Sequence, residues 1–244
     1  MGRLQKFYDT RAISVQEKDF LAQVCHTING KPIAAETVAL MAEELRAALE
    51  LEPDDQVLDL GCGNGLFSKL LAENVTSVTG VDFSAELIRI ASTHNSLGNV
   101  RFFHGDITGL GHIEAIRDRR YSKIVMNTGL QHFRPRTFSD ILEQILPVAS
   151  DAPVLVFSYV PENGKQSRFF NTVSKRLKRL YLRLTRRDIF GFWWDRQSLA
   201  RTASRFGFDC AFPPIDGRIP YAAYRFTAKL SKKPCHPQNA GPEI

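Results

Sequence analysis

Long hydrophobic runs are missing from this 244-residue chain. No stretch approaches the ~20 consecutive apolar residues that a membrane-spanning helix needs. The first residues, MGRLQKFYDTRAISVQEKDF, mix charges of both signs and contain no apolar core. No secretory signal is read there, and a cytoplasmic protein is expected. Cysteine is scarce and scattered: Cys25, Cys62, Cys210 and Cys235 form no CxxC pair and have no histidine at zinc-site spacing. That argues against a disulfide scaffold and a structural zinc, so no metal is expected. Internal repeats and low-complexity linkers are absent as well. Acidic residues are missing from one long segment, 165–187, which holds nine Lys/Arg.

What is present is the balance of a globular domain, 43% hydrophobic and 24% charged, in a chain long enough for one well-buried core. The net charge of +6 is uneven. Residues 1–160 hold 15 Lys/Arg against 20 Asp/Glu, and residues 161–244 hold 17 against 6, which points to an anionic partner near the last third. Residues 1–52 read as a helical cap, with Val38, Met41, Leu45 and Leu49 spaced along one helix face from 34 to 49. From 53 to 232, short apolar runs alternate with helical stretches. Strands are predicted at 57–60, 78–81, 100–103, 124–126 and 154–157. Helices are predicted from 66, over 84–95 with Ser84 as N-cap, near 111–118, at 137–149 and at 197–206. A last pair of strands near 208–212 and 222–229 closes the sheet, and residues 233–244 read as a mobile tail. This rhythm predicts an α/β, doubly wound, Rossmann-like sheet with its ligand at the C-terminal strand ends.

The first strand runs into Gly61-Cys62-Gly63-Asn64-Gly65. Glycines between a strand and its helix let the backbone approach a ligand closely. The spacing is GxGxG rather than the GxGxxG of dinucleotide enzymes, and Asp59 precedes it. A carboxylate at that strand end suits a zwitterionic amino acid, whose carboxylate the turn amides would face, and repels a pyrophosphate. Asp82 ends the second strand, where it can accept both hydroxyls of a ribose, and Phe83 beside it can pack on adenine. Asp106 follows the third strand and can accept the adenine amino hydrogens, with Ile107 against the ring. Each of these residues also has a plainer reading as a turn, cap or core residue.

Together, VLDLGCGNG (57–65), GVDFS (80–84) and HGDI (104–107) resemble the successive cofactor motifs of class I S-adenosylmethionine (SAM)-dependent methyltransferases. YSKIVMNTGLQHF (121–133) and PVLVFSYVP (153–161) resemble that family's fourth and fifth strands. The resemblance covers roughly residues 50–230. It implies a seven-stranded, mostly parallel sheet with one antiparallel edge strand, and S-adenosyl-L-methionine as cofactor. Asp59, Gly61, Cys62, Gly63 and Gly65 would then lie at the methionine end, Asp82 at the ribose, Asp106 at the adenine and Asn127 near the sulfonium.

His132, above the fourth strand, is the candidate general base, because an imidazole can take a hydroxyl proton at neutral pH. Leu130-Gln131-His132 is similar to the Leu-x-His of the family's small-molecule branch, although such a histidine can also be structural. His104, His26 and Tyr8 are weaker candidates. Nothing after the fourth strand matches the Asn/Asp-Pro-Pro-aromatic motif of DNA or RNA base amino methyltransferases, so no DNA partner is expected. Between 165 and 187, Phe169, Val173, Leu177, Leu180 and Leu184 recur at helical spacing among the cations. That amphipathic basic helix is either a packed solvated helix, a recognition element for an anionic acceptor, or a contact with an anionic membrane. Phe190, Phe192, Trp193 and Trp194 follow it, as residues that line an acceptor pocket, stack on a sugar, sit at a membrane interface or belong to the core. The leading expectation is O-methylation of a small biosynthetic intermediate that is anionic, sugar-bearing or lipid-linked. RNA methylation and a non-catalytic SAM-binding role are the alternatives.

Overall fold

The structure, a computed structural model, describes residues 2–28, 30–184 and 191–232. Seven strands form one sheet: β1 (Gln56–Leu60), β2 (Ser77–Asp82), β3 (Val100–His104), β4 (Tyr121–Asn127), β5 (Ala149–Pro161), β6 (Phe208–Ala211) and β7 (Arg225–Lys232). Their spatial order is 3-2-1-4-5-7-6, and only β7 runs antiparallel, between β5 and the edge strand β6. The central strands are buried along almost their whole length because helices cover both faces of the sheet. The order reverses between β1 and β4, which opens a crevice at their C-terminal ends.

Seven helices of six or more residues are described: α1 (Gly2–Ser14), α2 (Ala35–Leu49), α3 (Leu66–Leu71), α4 (Ala85–His94), α5 (Pro135–Ile145), α6 (Val173–Leu184) and α7 (Arg196–Ser204). Side-chain alternation splits the core into two layers. Leu58, Leu60, Ile124 and Met126 meet Phe138, Ile141 and Leu142 of α5 and Leu199 of α7 on one face. On the other, Val57, Val125 and Val156 meet Met41, Leu45 and Leu49 of α2 and Phe67 and Leu71 of α3. The predicted face of α2 is therefore the buried one. Ser84 caps α4 as expected, accepting from the Leu87 amide at 3.2 Å.

Several elements differ from the sequence expectation. Within the N-terminal cap, a short hairpin pairs Thr27–Ile28 with Lys31–Pro32 between the helices. The helix expected near 111–118 is a 3-10 turn over Ile107–His112 followed by a short helix, Glu114–Arg117, with the extended Ile113 between them. Helix α5 ends at Ile145, and a 3-10 turn containing Pro147 follows it. Strand β5 runs far beyond 154–157, because β7 supplies a second ladder along Val154 to Pro161. The expected mobile tail, Phe190, Arg186 and Arg187 lie outside the described residues.

Candidate cofactor and acceptor site

The C-terminal ends of β1, β2 and β4 enclose a cleft, at the strand-order reversal where sheets of this type take their ligands. Of the residues expected to bind cofactor or catalyse, Gly61, Gly63, Asp82, Phe83, Asp106, Ile107, Asn127 and His132 all line it. These positions span more than seventy residues of sequence, and only the strand order brings them together.

Asp82 is the electrostatic centre. It is buried, and its two oxygens accept from the Gly63 amide at 2.9 Å and the Ser84 amide at 2.8 Å. Burial outweighs these bonds and raises its pKa from 3.8 to about 6. A carboxylate that desolvated has lone pairs to offer, and a ribose diol supplies two donors. The fit at the glycine turn is steric. A Cβ built on Gly61, whose φ is +72°, meets nothing within 4 Å, so the turn leaves a cradle at the cleft wall that a side chain would fill.

Asp106 is half-buried, and one oxygen accepts from the Thr108 amide at 2.9 Å and the Thr108 hydroxyl at 2.8 Å. It therefore caps the 3-10 turn while lining the cleft beside Ile107. Asn127 accepts from the Ser158 hydroxyl at 2.9 Å, which orients its amide.

Three expected residues stand elsewhere. Asp59 has the strand parity of Val57, so it points toward α3, away from the cleft, and accepts from the Ser68 hydroxyl at 2.6 Å. Burial raises its pKa to about 7. Cys62 is buried under the turn, close to Gly80, and the Cβ of a residue at 80 would stand 2.8 Å from its sulfur. Gly65 is a packing glycine: a Cβ there would come within 2.7 Å of the Phe102 ring. The turn amides also differ from expectation. Those of Gly61 and Cys62 donate to the Val81 carbonyl, that of Gly63 to Asp82 and that of Gly65 to the Cys62 carbonyl, so they do not face a ligand carboxylate.

Helix α1 closes the cleft from 124 residues away in sequence. Its Tyr8 hydroxyl lies 3.2 Å from His132 Nε2. Gln5 donates to the Phe83 carbonyl at 3.1 Å, and the Ser84 hydroxyl donates to Asp9. Burial and the Arg225 charge lower the His132 pKa to about 4, while burial pushes the Tyr8 pKa up. At neutral pH the imidazole is thus uncharged, and Tyr8 keeps its proton and can donate it. His104 bonds the Phe83 carbonyl at 3.0 Å from an exposed position. His26 is buried against Phe67 and Tyr221, outside the cleft lining. Trp194 is core, donating to the Leu130 carbonyl at 3.1 Å, and Phe192 packs beside it. Besides Tyr8, Val24, Met126 and Thr128 also line the cleft. Met126 and Thr128 fall within the fourth-strand motif at 121–133, whereas no motif marks Tyr8 or Val24.

Comparison with known proteins agrees with this arrangement. Residues 57–151 match the model of the methyltransferase domain family. Magnesium protoporphyrin IX methyltransferase (ChlM) from Synechocystis PCC 6803, with bound SAH, superposes with a TM-score of 0.66 at 15% identity, covering 95% of this chain and 99% of that one. The DhpI-SAM-HEP complex superposes with a TM-score of 0.63 at 16% identity, covering 95% and 97%. The match assigns residues 57–151 to a methyltransferase domain, and the chain has the fold of these two proteins. Among curated relatives, 23S rRNA (uracil(1939)-C(5))-methyltransferase RlmD of Xanthomonas campestris is 33% identical over 131 residues, and that of Psychromonas ingrahamii is 32% identical over 120. The chain spans only 26% and 25% of the length of those two proteins.

With Asp82 at the ribose, its raised pKa would make ligand binding pH-dependent. Ribose donors favour the carboxylate form, so S-adenosylhomocysteine (SAH) affinity should fall as pH drops through about 6. Roughly tenfold weaker binding at pH 5 than at pH 8 is expected by calorimetry; a flat profile would remove Asp82 from the ribose site. Without ligand the sign reverses. The folded state holds this proton more tightly than the unfolded chain does, so Asp82 contributes stability below its ordinary 3.8 that is lost as pH rises through about 6.

Proposed function

We propose that the protein transfers a methyl group from SAM to a small biosynthetic intermediate, at oxygen, and that the acceptor is anionic, sugar-bearing or lipid-linked. The observation that carries this reading is one cleft lined together by Gly61, Asp82, Asp106 and His132. SAM supplies a methyl group on a sulfonium leaving group, and what remains for the chain is to align the acceptor and manage its proton.

Asp82 would hold the ribose, Phe83 and Ile107 would flank the adenine, and the Gly61 cradle would admit the amino-acid end. Asn127, fixed by Ser158, would border the reacting centre. His132 Nε2 would accept the acceptor's hydroxyl proton, with Tyr8 as the second polar group at that end of the cleft. Arg225 bears on this step. Its guanidinium donates to Gln131 Oε1 at 2.9 Å and the Tyr159 carbonyl at 2.6 Å, and its charge opposes protonation of His132. An anionic acceptor would offset the Arg225 charge, the lesser of the two causes, while burial would still hold the imidazole pKa down.

An RNA acceptor is the second reading, drawn from the basic segment 165–187 and the names of the curated relatives. Among the described residues no cysteine lines the cleft, which does not favour the covalent route to a pyrimidine C5. Incubation with methyl-labelled SAM, total RNA and a cell extract separates the two. Label is expected in the small-molecule or organic-soluble fraction; label confined to RNA would reverse the assignment, and none in either fraction would favour a non-catalytic SAM-binding role. With a labelled acceptor in hand, His132→Ala should lower turnover by roughly 10²-fold or more. SAH affinity should change by less than about threefold, because this interaction belongs to the transition state. Unchanged turnover would make His132 structural.

A further inference from the structure

Helix α6 reverses the usual arrangement of a surface helix. Such a helix normally turns its apolar stripe to the core and its charges to water. On α6, Val173, Leu177, Leu180 and Leu184 follow one another at helical spacing and are 71%, 61%, 55% and 75% exposed. The cationic side makes the contacts that tie the helix to its neighbours. Lys175 lies 5.6 Å above the Phe169 ring and Arg179 lies 4.4 Å above that of Phe170. Arg176 donates to the Phe170 carbonyl at 3.0 Å, and Arg179 to Gln166. Phe169 in turn rests on Tyr224 and Trp193. The aliphatic stripe is thus held outward by cation–π and hydrogen-bond contacts on the opposite side.

The same twelve residues contain five Lys/Arg and no acidic residue. An exposed aliphatic stripe on a segment of net positive charge matches an anionic bilayer, where the chains enter the headgroup–acyl boundary and the segment's charge is attracted to the anionic surface. RNA, the other common polyanion, offers no environment for four exposed aliphatic chains. We propose that α6 docks the protein on an anionic lipid surface.

The position of the helix gives such docking a use. The segment carrying α6 leaves the sheet at the C-terminal end of β5. It rejoins the loop that bears His132, where the Phe192 amide donates to the Gln131 carbonyl at 2.6 Å and Trp194 to the Leu130 carbonyl. The docking surface and the cleft therefore belong to the same end of the sheet, so an acceptor held in the membrane enters close to the interface. Docking itself does not depend on which acceptor the cleft takes.

Co-sedimentation of the full chain with vesicles tests this. Phosphatidylserine-containing vesicles should bind the protein at least roughly tenfold better than pure phosphatidylcholine vesicles, with the difference shrinking in high salt. The double substitution Leu177→Ser and Leu180→Ser should lower partition by roughly tenfold. Thermal midpoint and SAH affinity should be retained, because neither residue lines the cleft. If that variant were unstable, Val173→Ser with Leu184→Ser tests the same stripe. Equal partition onto both vesicle types, or variants that bind like the wild type, would overturn the proposal. Binding to transfer RNA that ignores the leucine substitutions and displaces vesicles would make the helix a nucleic-acid surface instead.

Discussion

Asp82→Ala is expected to weaken SAM and SAH binding by about 10²-fold or more while leaving a folded protein. Hydrogen bonds to a charged acceptor contribute roughly 1.5–3 kcal/mol each, and a ribose diol makes two. The substitution also frees the Gly63 amide, which Asp82 now accepts at 2.9 Å, and so loosens the wall of the cradle. Folding should survive, because removing a buried carboxylate whose pKa is already raised to about 6 also removes a desolvation cost at neutral pH. Calorimetric titration of both adenosyl ligands, with NAD as a control, reads the outcome. Undiminished SAH affinity in a folded Asp82→Ala sample would refute the ribose assignment. NAD binding by the wild type would move the fold's ligand to the dinucleotides.

The second large effect separates two glycines of the same motif. Gly65→Ala should cost about 3 kcal/mol of stability, combining left-handed strain of roughly 1–2 kcal/mol with overpacking of roughly 1–3 kcal/mol. At φ +77° the new Cβ would sit 2.7 Å from Phe102 Cε1 and 3.0 Å from the Ala91 Cβ. For a chain of this size the thermal midpoint should fall by roughly 6–12 °C. Gly61→Ala shares the strain, at φ +72°, but its Cβ meets no protein atom within 4 Å and occupies the cleft wall. Its stability loss should be smaller, about 1 kcal/mol, and its SAH affinity should fall by about tenfold or more. Equal loss of affinity in both folded variants would mean that the motif shapes the site only indirectly.

Much of this architecture was legible in the chain. The apolar runs of β1 to β4, the GxGxG turn, and the carboxylates at 82 and 106 predicted a doubly wound sheet with a nucleoside site at its strand ends. The structure has that order, with the aspartates on one cleft. Local periodicity carries such information because each strand and helix must bury its own apolar face. Motif spacing was a poorer guide to which turn residues touch a ligand. Asp59, Cys62 and Gly65 belong to the same nine-residue motif as Gly61 and Gly63, yet strand parity and close packing turn them to α3, to Gly80 and to Phe102.

By itself, then, the sequence determined the α/β class, the strand succession and the sheet end that carries the cleft, since those follow from short-range pattern. Tertiary structure alone decided that Tyr8 of α1 meets His132 across 124 residues. It also decided that β5 extends by pairing with β7, and that the aliphatic stripe of α6 faces away from the domain. Those outcomes depend on contacts between segments far apart in the chain, and no local periodicity encodes which partner a surface will find.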